Sequence, residues 1–418
     1  MVRDPGSSNV SDTMSHPPSP PRKSHPGAKQ AAPLALRKAR VLRWRSMALI
    51  AVRMMFHDKL KMAGTLAGVV FAVVLANQQV GTFFGLLHKN TMFLDHAAAD
   101  VWVVPPATPQ LQFGNPLPES VLLRAKVAPG VAWAEPLLFG GATIKRTDGG
   151  SQPVTLVGTR DARKVGVPWN LVAGDVDQLR MPDTVFFESA EREKFGGINL
   201  GSVRELNGKK VRVGGFTWGL LPFGPSYAFA DYELARQILQ VDPDQQHFVL
   251  VKTAEGSSPE EVARDLQSQI PEAKVMTTAA FKASTVQYVL TATAIGVTLG
   301  SSALFGLIVG FTVVALMMFS AVLDNLREFG TLKAVGATTW DLSKLLLVQA
   351  VLYASLGTLI GLALVGRLAE AIRSPQLALV LPPELFAITG VVMTALCILA
   401  SLASIVRLHK LEPAMVFR

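Results

Sequence analysis

Leu323-Asp324-Asn325-Leu326-Arg327-Glu328-Phe329-Gly330-Thr331-Leu332-Lys333-Ala334-Val335-Gly336-Ala337-Thr338 is the stretch on which the reading of this chain turns. It opens a charged segment, Asp324 to Lys344, with three acids and three bases, set between apolar runs at 291–323 and 345–366. Each run is longer than the roughly 18–20 apolar residues that cross a bilayer. A polar turn this short between two spans is no domain and sits at one membrane face. Leu332, Ala334 and Val335 lie between Gly330 and Gly336. A plain solvated hairpin would leave those apolar side chains in water, so the pattern favours docking against a partner.

Working outward, the 418 residues are half hydrophobic and the mean hydropathy is positive, which places the chain among membrane proteins. The net charge of +9 is unevenly spread: eight Lys or Arg against one acid, Asp58, fall between Arg37 and Lys61. A basic cluster directly before an apolar run fixes topology and touches anionic lipid, which argues against nucleic acid as its partner. Cys397, the single cysteine, lies inside an apolar run and reads as a small buried hydrophobe. His88, His96 and His247 are too scattered for a metal site. No paired carboxylates, Ser/His/Asp set or HExxH motif marks a catalytic centre.

Residues 1–33, rich in Pro, Ser, Gly and His, read as a disordered tail. Residues 34–61 read as a basic amphipathic juxtamembrane segment. The first span is expected at 62–87. It carries Gly64/Gly68 and Gly81/Gly85 at the spacing of close helix approach. Asn77, Gln78 and Gln79 interrupt it; three amides in hydrocarbon are costly, so they face other helices or mark the outer boundary, with a substrate contact as the alternative.

Residues 88–290 read as a large α+β domain. Strands are expected at 101–104, 154–157, 184–187, 211–216 and 247–251. Helices are expected at 232–239, after Asp231, and at 259–270, where Ser258 and Glu261 have capping-box spacing. The second span, 291–323, would be about 50 Å long as a helix, more than the ~30 Å hydrocarbon core, so part of it should project as a stalk. The loop 324–344 follows, then a span at 345–366, a short external loop at 367–384, a span at 385–406 and a tail at 407–418. Placing the N-terminus, the 324–344 loop and the tail inside puts fourteen Lys or Arg near the inner face. The expected fold is therefore an α-helical integral membrane protein with four transmembrane helices and a large α+β extracytoplasmic domain between the first two.

From Arg327 to Ala337 the chain reads Arg-Glu-x-Gly-x-Leu-Lys-Ala-x-Gly-Ala. This resembles the cytoplasmic loop of MacB/FtsX-type ABC transporter permeases. Phe195-Gly196-Gly197, Leu200-Gly201-Ser202, Asn207-Gly208-Lys209-Lys210-Val211 and Val213-Gly214-Gly215-Phe216 resemble that family's periplasmic domain, and Leu411 to Arg418 its C-terminus. The resemblance spans about residues 45 to 418, and the overall pattern is most similar to the DevC-like exporter permeases.

The resemblance implies a coupling helix that docks on a separate ABC ATPase. Arg327 and Glu328 would orient it, Leu332, Ala334 and Val335 would fill an ATPase groove, and Gly330, Lys333, Gly336 and Ala337 complete the motif. The chain has no G-x-x-x-x-G-K-[ST] loop to cradle nucleotide phosphates. ATP and magnesium would belong to the partner, and no cofactor or metal to this chain. The resemblance further implies a homodimer in the bacterial inner membrane, both termini cytoplasmic, transmitting ATP-driven motion to the outer domain. A periplasmic adaptor and an outer-membrane channel would serve efflux of an amphiphile. Within the family, lipoprotein release or control of cell-wall hydrolases without cargo are alternatives. Outside it, the alternative is a membrane-anchored ligand receptor.

Overall fold

The computed structural model describes residues 49, 51–160, 165, 166, 168–222, 224–324, 326–371 and 379–409. The 1–33 tail, most of the 34–61 segment, residues 372–378 of the external loop and the C-terminal motif at 411–418 lie outside the described residues. Residues 51–57 are helical and belong to a unit of their own, distinct from the unit that begins at Asp58.

Four helices of the larger unit are long and apolar enough to cross a membrane. They are α1 (Lys59–His96), α6 (Ala294–Asp324), α8 (Thr339–Ala371) and α9 (Pro383–His409). Glycine sets how closely they pack. A Cβ on Gly357 or Gly361 of α8 would stand 2.5 Å from Val69 and 2.6 Å from Val73 of α1, respectively. One on Gly306 of α6 would meet Gln79 of α1 at 2.9 Å. These are the close approaches that small residues permit between membrane helices. Gly64, in contrast, has nothing within 4 Å, so only Gly68 of that expected pair, against Met317, works as a contact.

Between α1 and α6 lies a domain of two lobes sharing one ten-stranded sheet. The first lobe comprises β1 (Val101–Val104), β2 (Leu117–Pro118), α2 (Glu119–Val127), β3 (Val131–Lys145), β11 (Phe248–Thr253), α4 (Pro259–Gln269) and β12 (Lys274–Thr277). Its sheet order, β12-β1-β11-β3 with every neighbour antiparallel, is that of a split βαβ (ferredoxin-like) unit. Val121, Leu122, Val262 and Leu266 bury one face of α2 and α4 on that sheet.

The second lobe is inserted between β3 and β11. It contains β4 (Ser151–Thr159), β5 (Leu171–Ala173), β6 (Thr184–Glu188), β7 (Val203–Leu206), β8 (Lys209–Thr217), β9 (Tyr227–Asp231), α3 (Tyr232–Leu239) and β10 (Gln245–Gln246), which pairs β2. Strands β3, β4, β9, β6, β8 and β7 pair in succession, and β7 pairs back to β3. The ring closes into a barrel that leaves few sheet edges to protect. Ile144, Val154, Phe187, Val211 and Val213 are among the side chains that fill its core. Asn207, at φ +45, and Gly208, at φ +82, form the β7–β8 turn, the Asn-Gly hairpin that needs positive φ twice. Asn207 also completes the closure: its Oδ1 accepts from Thr143 N at 2.8 Å and its Nδ2 donates to Ile238 O at 3.2 Å.

Some of these expectations change in detail. Ser258 does not cap α4 through a box with Glu261; its side chain makes no cap bond, and its hydroxyl donates to Glu260 Oε2 at 2.8 Å. The expected second span at 291–323 is α6, and it is preceded, at the end of the expected domain, by a separate helix, α5 (Thr278–Ala292), parted from it at Thr293, whose ψ of 144° is extended. α1, for its part, runs on past residue 87 to His96 as one helix.

Candidate functional site

The charged stretch that opened the sequence reading folds as α7 (Leu326–Ala334) and a tight turn into α8. The turn is built by backbone chemistry. Ala337 N donates to Leu332 O at 2.9 Å, and Gly336 N donates to Lys333 O at 3.1 Å, with Gly336 at φ +105. This is a Schellman stop, in which a left-handed residue lets the last helical carbonyls find donors. Nothing lies within 4 Å of a Cβ placed on Gly336. Its glycine therefore serves backbone conformation, and the motif residue does not mark a close approach.

α8 then starts with a reciprocal cap. Asp341 N donates to Thr338 Oγ1 at 3.2 Å, while Thr338 Oγ1 and Thr338 N donate to Asp341 Oδ2 at 2.6 and 3.4 Å. With both helix ends satisfied, the turn is stiff and places its side chains definitely. Phe329 is the inward anchor, 1% exposed, and Gly330 beside it is buried. Outward stand Val335, 89% exposed, and Trp340, 67% exposed, with Lys344 Nζ 5.4 Å over the Trp340 ring. Ala334 and Gly336 are also exposed, whereas Glu328, Leu332, Lys333 and Ala337 are half-buried. Arg327 lies on α7; its side chain is outside the described residues. Trp340, outside the motif, is the largest exposed apolar group here and was not singled out from sequence; it is the second residue of α8, within the stretch expected as the 324–344 loop.

The three amides of the first span separate. Asn77 is 1% exposed; its Nδ2 donates to Val73 O at 2.8 Å and its Oδ1 accepts from Thr389 Oγ1 of α9 at 3.2 Å. Gln79 Oε1 accepts from Ser302 Oγ of α6 at 3.2 Å. Gln78 is exposed. Two amides therefore tie α1 to other spans, satisfying polar groups that lipid could not.

At the opposite end of these helices, α1 and α5 are clamped to the domain. Phe93 of α1 sits among Trp102, Phe139, Trp169 and Tyr227, with ring centroids 5.5 to 6.5 Å away in tilted and edge-on arrangements. Phe281 of α5 packs on Trp102 at 5.6 Å, and Lys282 pairs with Asp95 of α1. Removing one such ring costs about 3–5 kcal/mol. Beside the clamp, Asp100 accepts from Lys252 Nζ at 2.8 Å and Thr253 N at 3.0 Å. Burial works against its charge, but these bonds outweigh it and hold the carboxyl below its ordinary range. Glu188 ends β6 fully buried and accepts from Thr217 Oγ1, Gly219 N and Leu220 N at 2.9 to 3.0 Å. Burial raises its carboxyl above the ordinary value despite those donors. Among the described residues no group of three or more His, Cys, Asp or Glu is gathered as a metal would need.

Comparison with known proteins places this geometry in a family. Residues 62–269 match the MacB-like periplasmic core domain, and residues 300–413 match the FtsX-like permease C-terminal domain. Uncharacterized ABC transporter permeases of Mycobacterium bovis and Mycobacterium tuberculosis are 24% identical over 353 residues, 84% of this chain and 93% of theirs. Among solved structures, the periplasmic region of MacB from Actinobacillus actinomycetemcomitans is 15% identical with a TM-score of 0.35, over 46% of this chain and 94% of that one. The extracellular domain of the noncanonic ABC-type transporter YknZ from Gram-positive bacteria is 16% identical with a TM-score of 0.32, over 43% and 99%. Two family domains in the family's order, on a chain with four spans and a two-lobed domain after the first, make this protein an ABC transporter permease of the MacB/FtsX type.

Proposed function

We propose that this chain is the membrane subunit of an export system and that it converts ATP hydrolysis by a separate ABC ATPase into motion of its extracytoplasmic domain. The observation that carries the reading is the pairing of two stiff ends on one packed helix bundle, in which α1 lies against α6 and α8. At one end a turn capped from both sides holds Val335 and Trp340 out of the protein. At the other, α1 and α5 are bolted to the domain by aromatic packing. A displacement at the turn has few soft joints in which to dissipate. ATP and magnesium belong to the ATPase on this reading, and the turn supplies shape and apolar contact to it.

The charge asymmetry of the loops supports cytoplasmic placement of the turn and both termini, in an inner membrane. A homodimer follows from the resemblance to permeases of this type, since four spans in one chain enclose little. Work through an adaptor and an outer-membrane channel on an amphiphilic cargo follows from the resemblance to exporter permeases. Co-expression with the ABC ATPase encoded alongside, followed by detergent purification, tests the central step. A stable complex that hydrolyses ATP, lost or weakened on the order of tenfold by Val335→Asp with Trp340→Ala as a buried apolar anchor pair would be, is the expected result. A complex indifferent to both substitutions would remove the turn from the interface.

A further inference from the structure

The barrel has one end that the membrane helices do not reach. Phe93 of α1 packs 5.6 Å from Tyr227, the first residue of β9, and β6 runs antiparallel to β9 with Val185 opposite Ala230. Thr184, which starts β6, therefore lies at the membrane-distal end. β8 runs parallel to β6 with Arg212 opposite Thr184, so the start of β8 is distal too.

At that end a groove of about 450 Å³ opens between the start of β6 and the β7–β8 hairpin. Its apolar sides are Met181 and Val203, 58% and 53% exposed. Strand alternation sends Val211 and Val213 into the barrel core and leaves Lys210 and Arg212 outside. Neither cation has an ion-pair partner among the described residues. Glu205, directly across from Lys210, is 3.8 Å from Lys145 instead. Asp183, the one acid in the lining, sits at φ +55 and spends its backbone carbonyl on Arg212 N at 2.6 Å.

Two free cations against one carboxylate, between two exposed apolar side chains, complement a ligand that is both acidic and apolar. The groove lies at the far end of the barrel from Phe93 and the bilayer's headgroups, on the rim of an exposed hairpin, a position suited to a protein segment. We propose that this groove docks an acidic segment with apolar anchors, belonging to a partner protein in the compartment that the domain faces. Docking here needs only the folded domain and is independent of the ATPase.

The test uses the full chain in detergent and three fluorescent peptides that alternate Leu with Glu, Gln or Lys, followed by anisotropy. The Glu peptide should bind on the order of tenfold more tightly than the Gln peptide at low salt, as two exposed charge pairs can supply. Lys210→Glu with Arg212→Glu should invert the order in favour of the Lys peptide, with the melting temperature kept. If that variant fails to fold, Lys210→Gln with Arg212→Gln should erase the preference. Equal binding of the Glu and Gln peptides to the natural chain overturns the proposal, as does a preference that survives the substitutions. Phosphatidylglycerol vesicles bound through the same two cations would also overturn it, by making the occupant a lipid.

Discussion

At the residue scale, side chains here do several jobs that composition alone does not separate. Gly336 was legible as special because it stands in a motif, but the motif does not give its reason. The reason is a φ of +105 that an L side chain adopts only under strain. Among the span amides, three neighbours in sequence have different fates, since a helix turns each successive residue by about 100° and only two of them meet partners. His247 is another residue whose role needed the fold. It is buried, and its Nδ1 accepts from Phe139 N at 3.2 Å, which fixes the neutral tautomer. Burial lowers its pKa to about 4. The unfolded chain, with an ordinary imidazole, takes up the proton first as pH falls. Stability is therefore full above roughly pH 6.5 and is lost between there and about 4, by up to ~3 kcal/mol. Thermal unfolding of the full chain followed against pH should show this slope, and His247→Gln should flatten it; an unchanged slope would assign the acid sensitivity elsewhere.

At the element scale, the four spans and many strand segments were legible, because long apolar runs and short β-branched runs carry strong local signals. The strand β3 was not. Its sequence, Val131 to Lys145, contains Pro136 and the pair Gly140-Gly141, which locally read as breaks. In the fold Pro136 sits opposite Val249, and Gly140 lies under Leu239 of α3, so tertiary pairing overrides the local signal. This one strand joins the split βαβ lobe to the barrel. The expected span began at 291, close to the parting of α5 from α6 at Thr293, but the sequence did not reveal the bend itself. It depends on Gly296, where a Cβ would stand 2.2 Å from Val289 O. Thr293 Oγ1 donates to Val289 O at 2.6 Å and accepts from Gly296 N at 3.3 Å, securing both sides of the bend. Gly296→Ala should force the bend open and destabilise the chain by about 1–3 kcal/mol, the usual cost of overpacking. Hydrogen exchange would register it as faster exchange across residues 278–292. Unaltered exchange there would mean that the bend tolerates a side chain.

At the scale of the whole molecule, the proposed function makes the arrangement a lever. The domain's aromatic clamp and the doubly capped turn are joined by helices longer than the roughly 30 Å hydrocarbon core: α6 alone has 31 residues, about 46 Å. The sequence showed the order of these parts. It could not show the clamp, because Phe93, Trp102, Tyr227, Phe248 and Phe281 are far apart in the chain and meet only when the sheet assembles. The candidate turn was legible as a place; its stiffness and its outward Trp340 were not. The central claim is that movement imposed on the turn reaches the domain. The most direct measurement is pulsed electron paramagnetic resonance on spin labels attached at one surface position of the domain, in the complex with its ATPase, comparing nucleotide-free and ATP-trapped states. The account predicts that the label-to-label distance across the homodimer shifts on ATP trapping, and that Gly336→Val reduces or abolishes the shift even at ATPase concentrations high enough to restore the complex. A domain that keeps one distance in both states, or that moves equally with the turn disrupted, would contradict it.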